Sequence, residues 1–211
     1  MRLTVFGPTG GTGRSAIAQA LTVGDKVTVL ARNPAALTEF GDRITVVAGD
    51  VLDPSAAARA VEGAEVVVSA LGIGMHRHAT TVYSQGTANV IAAMRADGAR
   101  RLLVVSTSSL EVPPARQFAE WLIARHLLHR ILAKPYADMA LMERHVRESD
   151  LDWTLVRAAR LTSGSLTGNY RTATDRKLRG CWSISRPDVA HYCLNHAADA
   201  DTVGHTVEIA Y

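Results

Sequence analysis

A doubly wound parallel α/β sheet with a small C-terminal cap is the fold class this 211-residue sequence predicts. Three observations predict it. Short runs rich in Val, Leu and Ile recur along the chain, helical patterns separate them, and a glycine-rich turn directly follows the first run. Continuous apolarity in a strand is what a parallel sheet covered on both faces requires. Strands that alternate with helices give the doubly wound form, and right-handed crossovers fix most of its topology.

The elements follow in order. Leu3–Phe6 reads as the first strand and Gly11–Thr22 as the helix the glycine turn opens. Lys26–Ala31 and Ile44–Ala48 are the second and third strands. Asp53-Pro54 reads as an N-cap followed by a first-turn proline, so a helix is expected over Pro54–Val61. Glu65–Leu71 is the fourth strand, Thr80–Asp97 a helix and Arg101–Ser106 the fifth strand. Asp138–Ser149 is the next helix, and Asp152–Val156 the sixth strand. Two segments stand outside this alternation. Residues 112–135 form an insertion, with an amphipathic helix expected at Phe118–Leu132 that reads as a lid or packing surface, the alternative being a partner or membrane-surface helix. Residues 164–211 mix short strand and helix patterns and are expected to cap the C-terminal ends of the strands, where open α/β sheets bind ligands.

Composition excludes several classes. With 47% hydrophobic and 20% charged residues the chain is globular, and its length is that of one domain, residues 1–211. The net charge of +3 comes from 23 basic and 20 acidic residues, interspersed and without a basic tail, so nucleic acid is not an expected partner. No uninterrupted apolar stretch has the length of a membrane span, and the start of the chain lacks the apolar core of a signal peptide. Cys181 and Cys193 do not make a disulfide framework or a metal knuckle, which points to a reducing compartment and a cytoplasmic location.

The turn Gly7-Pro8-Thr9-Gly10-Gly11-Thr12-Gly13 carries the strongest chemical signal. Gly7 suits a tight turn, Gly10 lets a pyrophosphate approach the backbone, and Gly13 allows close helix–strand packing. Backbone N–H groups of Gly11 and its neighbours would hold the anion, with Thr9 and Thr12 adding hydroxyl donors. A P-loop is excluded, since no Gly-Lys-[Ser/Thr] closes the turn. The turn is expected to be the phosphate turn of a Rossmann-type dinucleotide site, the alternative being a glycine-rich turn without a ligand. At the end of the second strand such a site carries Asp or Glu for NAD, but this chain has Arg32, whose planar fork suits a 2′-phosphate. NADPH is therefore the expected cofactor, the competing reading of Arg32 being a solvated surface charge. Asp50 and Val51 follow the third strand where adenine would lie, though Asp50 also reads as a helix cap. Leu71-Gly72-Ile73-Gly74 gives a second glycine turn near the pyrophosphate and nicotinamide ribose.

With these residues assembled, the chain resembles the NAD(P)H-binding atypical short-chain dehydrogenases/reductases, a group that includes biliverdin-IXβ reductase/flavin reductase-like and NmrA-like oxidoreductases. The resemblance rests on Val5 to Gly13, Val27 to Arg32, Gly49 to Leu52 and Ala88 to Met94. It resumes at Arg147-Glu148-Ser149 and at Leu166 to Tyr170. It implies NADPH in the crevice and a small-molecule hydride acceptor above the nicotinamide. The tyrosine-dependent enzymes use Tyr-x-x-x-Lys, and all five tyrosines fail that spacing: Thr87, Ala140, Thr174 and His196 stand four residues after Tyr83, Tyr136, Tyr170 and Tyr192, and Tyr211 is last. The resemblance instead implies a serine after the fifth strand, which falls on Ser108. Its expected role is a hydrogen bond to the acceptor or to a proton-delivering water, with capping of the strand end as the alternative. Arg160, in Arg157-Ala158-Ala159-Arg160, is expected to face cofactor or an anionic substrate, where relatives carry proline nearby. His126 with His129, and His76-Arg77-His78, lack the further ligands a metal site needs. The expected function is NADPH-dependent hydride transfer to a planar conjugated acceptor by a monomer or homodimer. The alternative is a redox-sensing dinucleotide binder without turnover.

Overall fold

The computed structural model describes residues 1–74, 78–110 and 133–211. Within them the elements run β1 (Arg2–Phe6), α1 (Gly11–Thr22), β2 (Lys26–Ala31), a 3-10 segment (Pro34–Arg43), β3 (Ile44–Ala48), α2 (Pro54–Val61) and β4 (Val66–Ser69). They continue with α3 (Ser84–Asp97), β5 (Arg101–Thr107), α4 (Ala133–Arg147), β6 (Asp152–Ala158), β7 (Arg160–Thr162) and β8 (Arg171–Thr174). The last are β9 (Ser183–Ser185), α5 (Arg186–Asn195) and β10 (His205–Ala210). The main sheet has the order β3-β2-β1-β4-β5-β6-β10-β8, parallel throughout except for the antiparallel pairing of β8 with β10. The doubly wound expectation holds, and the strand order reverses between β1 and β4, the place where such sheets open a ligand crevice.

Side-chain alternation divides the interior into two layers. Leu3 and Val5 of β1 and Val66 and Val68 of β4 pack with Ile17 of α1 and Val189 and Cys193 of α5. Phe6 and Val67 face the opposite way, against Ala57 of α2, Val90 and Met94 of α3 and Met142 of α4. The central strands β1 and β4 thus bury both faces, which is why their sequences read as continuous apolar runs.

Local chemistry sets the element boundaries. Asp53 caps α2 by accepting from the Ser55 N–H at 2.9 Å, with Pro54 in the first turn. Helix α3 begins at Ser84 rather than Thr80, because its N-cap, Tyr83, has no side-chain cap of its own and Asp138 of α4 supplies one. The Asp138 carboxylate accepts from the Tyr83 N–H at 3.0 Å and from the Ser84 hydroxyl. Gly98, at φ 88°, ends the same helix and donates to Met94 O. Helix α4 is described from Ala133, ahead of the expected Asp138, with Pro135 tolerated in its first turn. The crossover between β2 and β3 is the kinked 3-10 segment rather than an α-helix.

Residues 164–211 differ most from expectation. They supply two strands of the main sheet, with β10 inserted between β6 and β8, and α5 packs on the α1 face. Alternation in His-Thr-Val-Glu-Ile-Ala hides this strand from a search for uniform apolarity, since Glu208 lies in its middle, buried. Among the described residues, the small parallel β7–β9 pair forms a sheet apart from the main one. Most of the expected insertion at 112–135, including the helix at 118–132, lies outside the described residues.

Candidate functional site

The glycine turn is built as its spacing requires. Gly7 has φ 80°, and a Cβ there would stand 2.3 Å from Ala70 O in the turn after β4. A Cβ on Gly13 would stand 2.2 Å from Gly7 O. Both glycines are fixed by close approach of the chain to itself. Gly10 is different: a Cβ there would meet only Gly7 O, at an ordinary 3.5 Å. Gly10 is also the N-cap of α1, and no side chain caps that helix start, nor does an acid occupy its first turn. The first N–H groups of α1 have no intrahelical partner, so the helix start is a positive end without a compensating acid. That cradle fits a dinucleotide pyrophosphate. Thr12 is buried and Thr9 exposed on the turn.

Arg14, which the motif reading passed over, pins the turn to its neighbours. Its side chain donates to Thr9 O at 3.2 Å and Ala36 O at 2.6 Å, and it pairs with Glu39. Its position directly after Gly13 was the available signal. Arg32 stands at the end of β2, 76% exposed, its guanidinium 4.0 Å from the Asp50 carboxylate. The two residues expected at the adenosine end are thus neighbours, and Asp50 also accepts from the Leu52 N–H at 3.0 Å. Val51 is buried over α3: Asn89 donates to Val51 O at 2.9 Å, and a Cβ on Gly86 would meet Val51 Cγ1 at 2.9 Å. Leu71 and Ile73 are half-buried, with the Ile73 N–H donating to the Tyr83 hydroxyl at 3.3 Å. Gly72 between them has nothing within 4 Å of a Cβ position. Arg160 is exposed at the start of β7, in register with Ser183. His76 and Arg77, like His126 and His129, lie outside the described residues; His78 is exposed.

The end of β5 carries a second constellation. Ser108 is 5% exposed, and its hydroxyl is already engaged: Lys177 Nζ donates to it at 2.9 Å, and it donates to Glu208 Oε2 at 3.2 Å. Cys181 Sγ lies 3.3 Å away, and burial pushes that thiol up. Lys177 also donates to Glu208 Oε1 at 2.8 Å. Beside this group, Tyr136 of α4 hydrogen-bonds the side chains of Ser109 and Thr107, and burial raises its hydroxyl despite those bonds. The sequence excluded Tyr136 on the missing lysine alone; the fold brings its hydroxyl to the strand end nonetheless.

A buried ion pair lies below. Glu143 of α4 receives Arg157 Nε at 2.9 Å and Nη2 at 2.6 Å, the Ser106 hydroxyl at 2.7 Å and Arg147 at 2.8 Å. Burial would raise the Glu143 carboxyl, but the Arg157 hydrogen bonds and charge outweigh it and hold it below the ordinary value. Across the sheet Ser106, Arg157 and Glu208 are in register. On that flank a polar cleft of ≈ 180 Å³ opens between α4 and β10, lined by Arg147, Arg157, Asp175, Arg176, Thr206 and Glu208. The signal for these residues was a charge inside an apolar strand, at Arg157 and at Glu208.

Comparison with known proteins gives concordant results. A family model described as NAD(P)H-binding matches residues 7–200. The uncharacterized protein Rv2047c of Mycobacterium tuberculosis is 32% identical over 180 residues, covering 75% of this chain and 20% of that protein. The chain therefore spans about a fifth of the length of the curated relatives it matches. Among solved structures, ChuY, an anaerobillin reductase from Escherichia coli O157:H7, has a TM-score of 0.82 at 20% identity, covering 100% of this chain and 97% of that one. A wide-type short-chain dehydrogenase/reductase from Veillonella parvula, solved with NADP, has a TM-score of 0.78 at 20% identity, covering 100% and 94%.

Proposed function

The chain belongs to this NAD(P)H-binding family, and from that premise we propose that it is an NADPH-dependent reductase passing hydride to a planar conjugated acceptor of flavin, quinone or tetrapyrrole type. The observation that carries the reading is a juxtaposition on one edge of the sheet. The uncapped glycine start of α1 adjoins β1, and the hydroxyls of Thr107, Ser108, Ser109 and Tyr136 gather at the end of β5. The strands β1, β4 and β5 are parallel neighbours, so both groups lie at the carboxyl ends of the strands.

The bound cofactor would supply the hydride. Gly11 and Thr12 would hold its pyrophosphate by backbone N–H groups, with Thr9 and Gly10 beside them, the Gly10 N–H being taken by Gly7 O, while Gly7 and Gly13 set the turn that aims those groups. Arg32 takes the 2′-phosphate and Asp50 and Val51 border the adenine. Leu71, Gly72 and Ile73 form the floor toward the nicotinamide, and Arg160 meets an anionic edge of the acceptor. Ser108 is the catalytic hydroxyl: Lys177 donates to its oxygen, and its proton, which goes to Glu208 here, would turn to the acceptor or a bound water during turnover. A flat acceptor needs mainly positioning, so the absence of a Tyr–Lys pair does not prevent turnover. We read residues 1–211 as one functional unit because a single sheet runs from Arg2 to Ala210. A cytoplasmic location is favoured by the two free thiols, Cys181 and Cys193. No helix among the described residues is long and apolar enough to cross a membrane.

A dinucleotide sensor without turnover is the second reading. The Ser108 hydroxyl favours it, being buried and already held by Lys177 and Glu208. NADPH oxidation against FMN, FAD, quinones and biliverdin, with NADH in parallel, separates the two. Acceptor-dependent loss of NADPH, faster than of NADH, is the expected result. Saturable NADPH binding with no oxidation by any of these acceptors selects the sensor, and no binding of either dinucleotide overturns both.

A further inference from the structure

Gly11 occupies the first turn of α1, where its φ is not in the left-handed region and its conformation does not call for glycine. A side chain there would have to displace an arginine from the far end of the sequence. A Cβ on Gly11 would stand 2.4 Å from Arg186 Cδ and 3.2 Å from Arg186 Nε. The missing side chain is a slot, and the stem of Arg186 lies in it.

The electrostatics of that placement are unfavourable as they stand. Arg186 is the first residue of α5, and its guanidinium lies against the first turn of α1. It therefore sits beside two positive helix ends, where a cation is disfavoured. Among the described residues it has no carboxylate partner; its one side-chain hydrogen bond is to Ser163 Oγ, at 3.3 Å. The nearby Asp188 carboxylate is occupied by Tyr211, Thr167, Gly168 and Ser185. An anion at the start of α1 would offset all three positive charges at once.

Resting on the reading of the glycine turn as a dinucleotide site, we propose that Arg186 is a positioning residue for the cofactor diphosphate, closing on it from the α5 side. It acts on the diphosphate common to NADPH and NADH, in contrast to Arg32, which acts on the 2′-phosphate alone. The side chain is held in place by the absence of a Cβ at Gly11, so Gly11 and Arg186 work as one device.

Equilibrium titrations with NADPH, NADH and ADP-ribose test this, each with a thermal melt to verify folding. Arg186→Gln keeps the stem and removes the charge. It is expected to raise all three dissociation constants by one common factor, roughly tenfold to a hundredfold, and Arg186→Lys to recover part of the loss. Arg32→Gln should change only the NADPH value. Gly11→Ala should weaken binding in the natural chain and have no further effect on top of Arg186→Ala. Unchanged affinities in a folded Arg186→Gln chain overturn the assignment while leaving the cofactor site standing. A natural chain that binds none of the three probes overturns the cofactor reading itself, and the assignment with it.

Discussion

Glu143 and Arg157 are joined by two hydrogen bonds, of 2.9 and 2.6 Å, in the interior between α4 and β6, where their side chains are 2% and 7% exposed. The pair is close to Ser106, one strand away from the hydroxyls at the end of β5. Removing one partner takes two hydrogen bonds and the facing charge from a buried ion, while Arg147 stays on Glu143. Arg157→Met is therefore expected to cost about 3–5 kcal/mol in urea denaturation, and Glu143→Gln a comparable amount. The double change Glu143→Leu with Arg157→Met should recover much of that loss, since two apolar groups replace two charges together. A double variant no more stable than either single one would show that Ser106 and Arg147, also bound to Glu143, dominate the site.

The carboxylate of Asp188 sets an acid limit to stability. Burial pushes it up, but hydrogen bonds from the Tyr211 hydroxyl, the Gly168 and Thr167 N–H groups and the Thr167 hydroxyl pull it from 3.8 down to about 2. A folded-state value below the unfolded one means stability that is present above about pH 4 and lost as pH falls through 3.8 toward 2. The contribution is on the order of 2 kcal/mol. In Asp188→Asn the melting temperature near neutral pH should drop, and its decline between pH 4 and pH 2 should be shallower than in the natural chain. Parallel declines would remove Asp188 from the acid transition.

On the proposed reading, Arg32 sets which dinucleotide is preferred. Its guanidinium is exposed and only loosely associated with Asp50, at 4.0 Å, so little must be broken to receive a phosphate. Arg32→Asp should weaken NADPH binding by at least tenfold more than NADH binding. Titration of both dinucleotides measures it, and equal losses would take Arg32 out of the site.

Ser108→Ala should lower turnover with little change in NADPH affinity, and Lys177→Met should act in the same direction by removing the donor to the Ser108 oxygen. Lys177→Met also leaves Glu208 buried without its cation, so a stability loss of about 3 kcal/mol is expected to accompany it. Steady-state kinetics with a responding acceptor, beside denaturation curves, separates the two effects. Unaltered kinetics in Ser108→Ala would leave the serine a structural cap of the strand.

The cofactor half of the molecule was legible because its devices are local. A strand, three spaced glycines and a helix occupy adjacent positions, and Gly7 and Gly13 meet the chain as their spacing demands. The ends of α1 and α2 matched their sequence signals to the residue, Asp53-Pro54 among them. The second half was less legible because its determinants are far apart in sequence. Helix α3 starts where Asp138, more than fifty residues away, accepts from Tyr83. Ser108 meets Lys177 and Glu208, and Gly11 makes room for Arg186, through contacts that no spacing rule contains. Buried charges were hidden for the same reason, since Arg157 and Glu208 look misplaced in a strand until their partners are known.

The position of β10 has a consequence for the order in which the molecule is made. It is synthesised after every other strand of the sheet, yet it sits between β6 and β8 and pairs with both. The segment from β1 to β5 can assemble on a growing chain from neighbours already present, whereas β8 must wait for a partner synthesised about thirty residues after it. A chain stopped before His205 would leave the β6 edge and the whole of β8 open to pairing with other chains. Nascent chains stalled in that window should be the species most prone to aggregate and most dependent on chaperones.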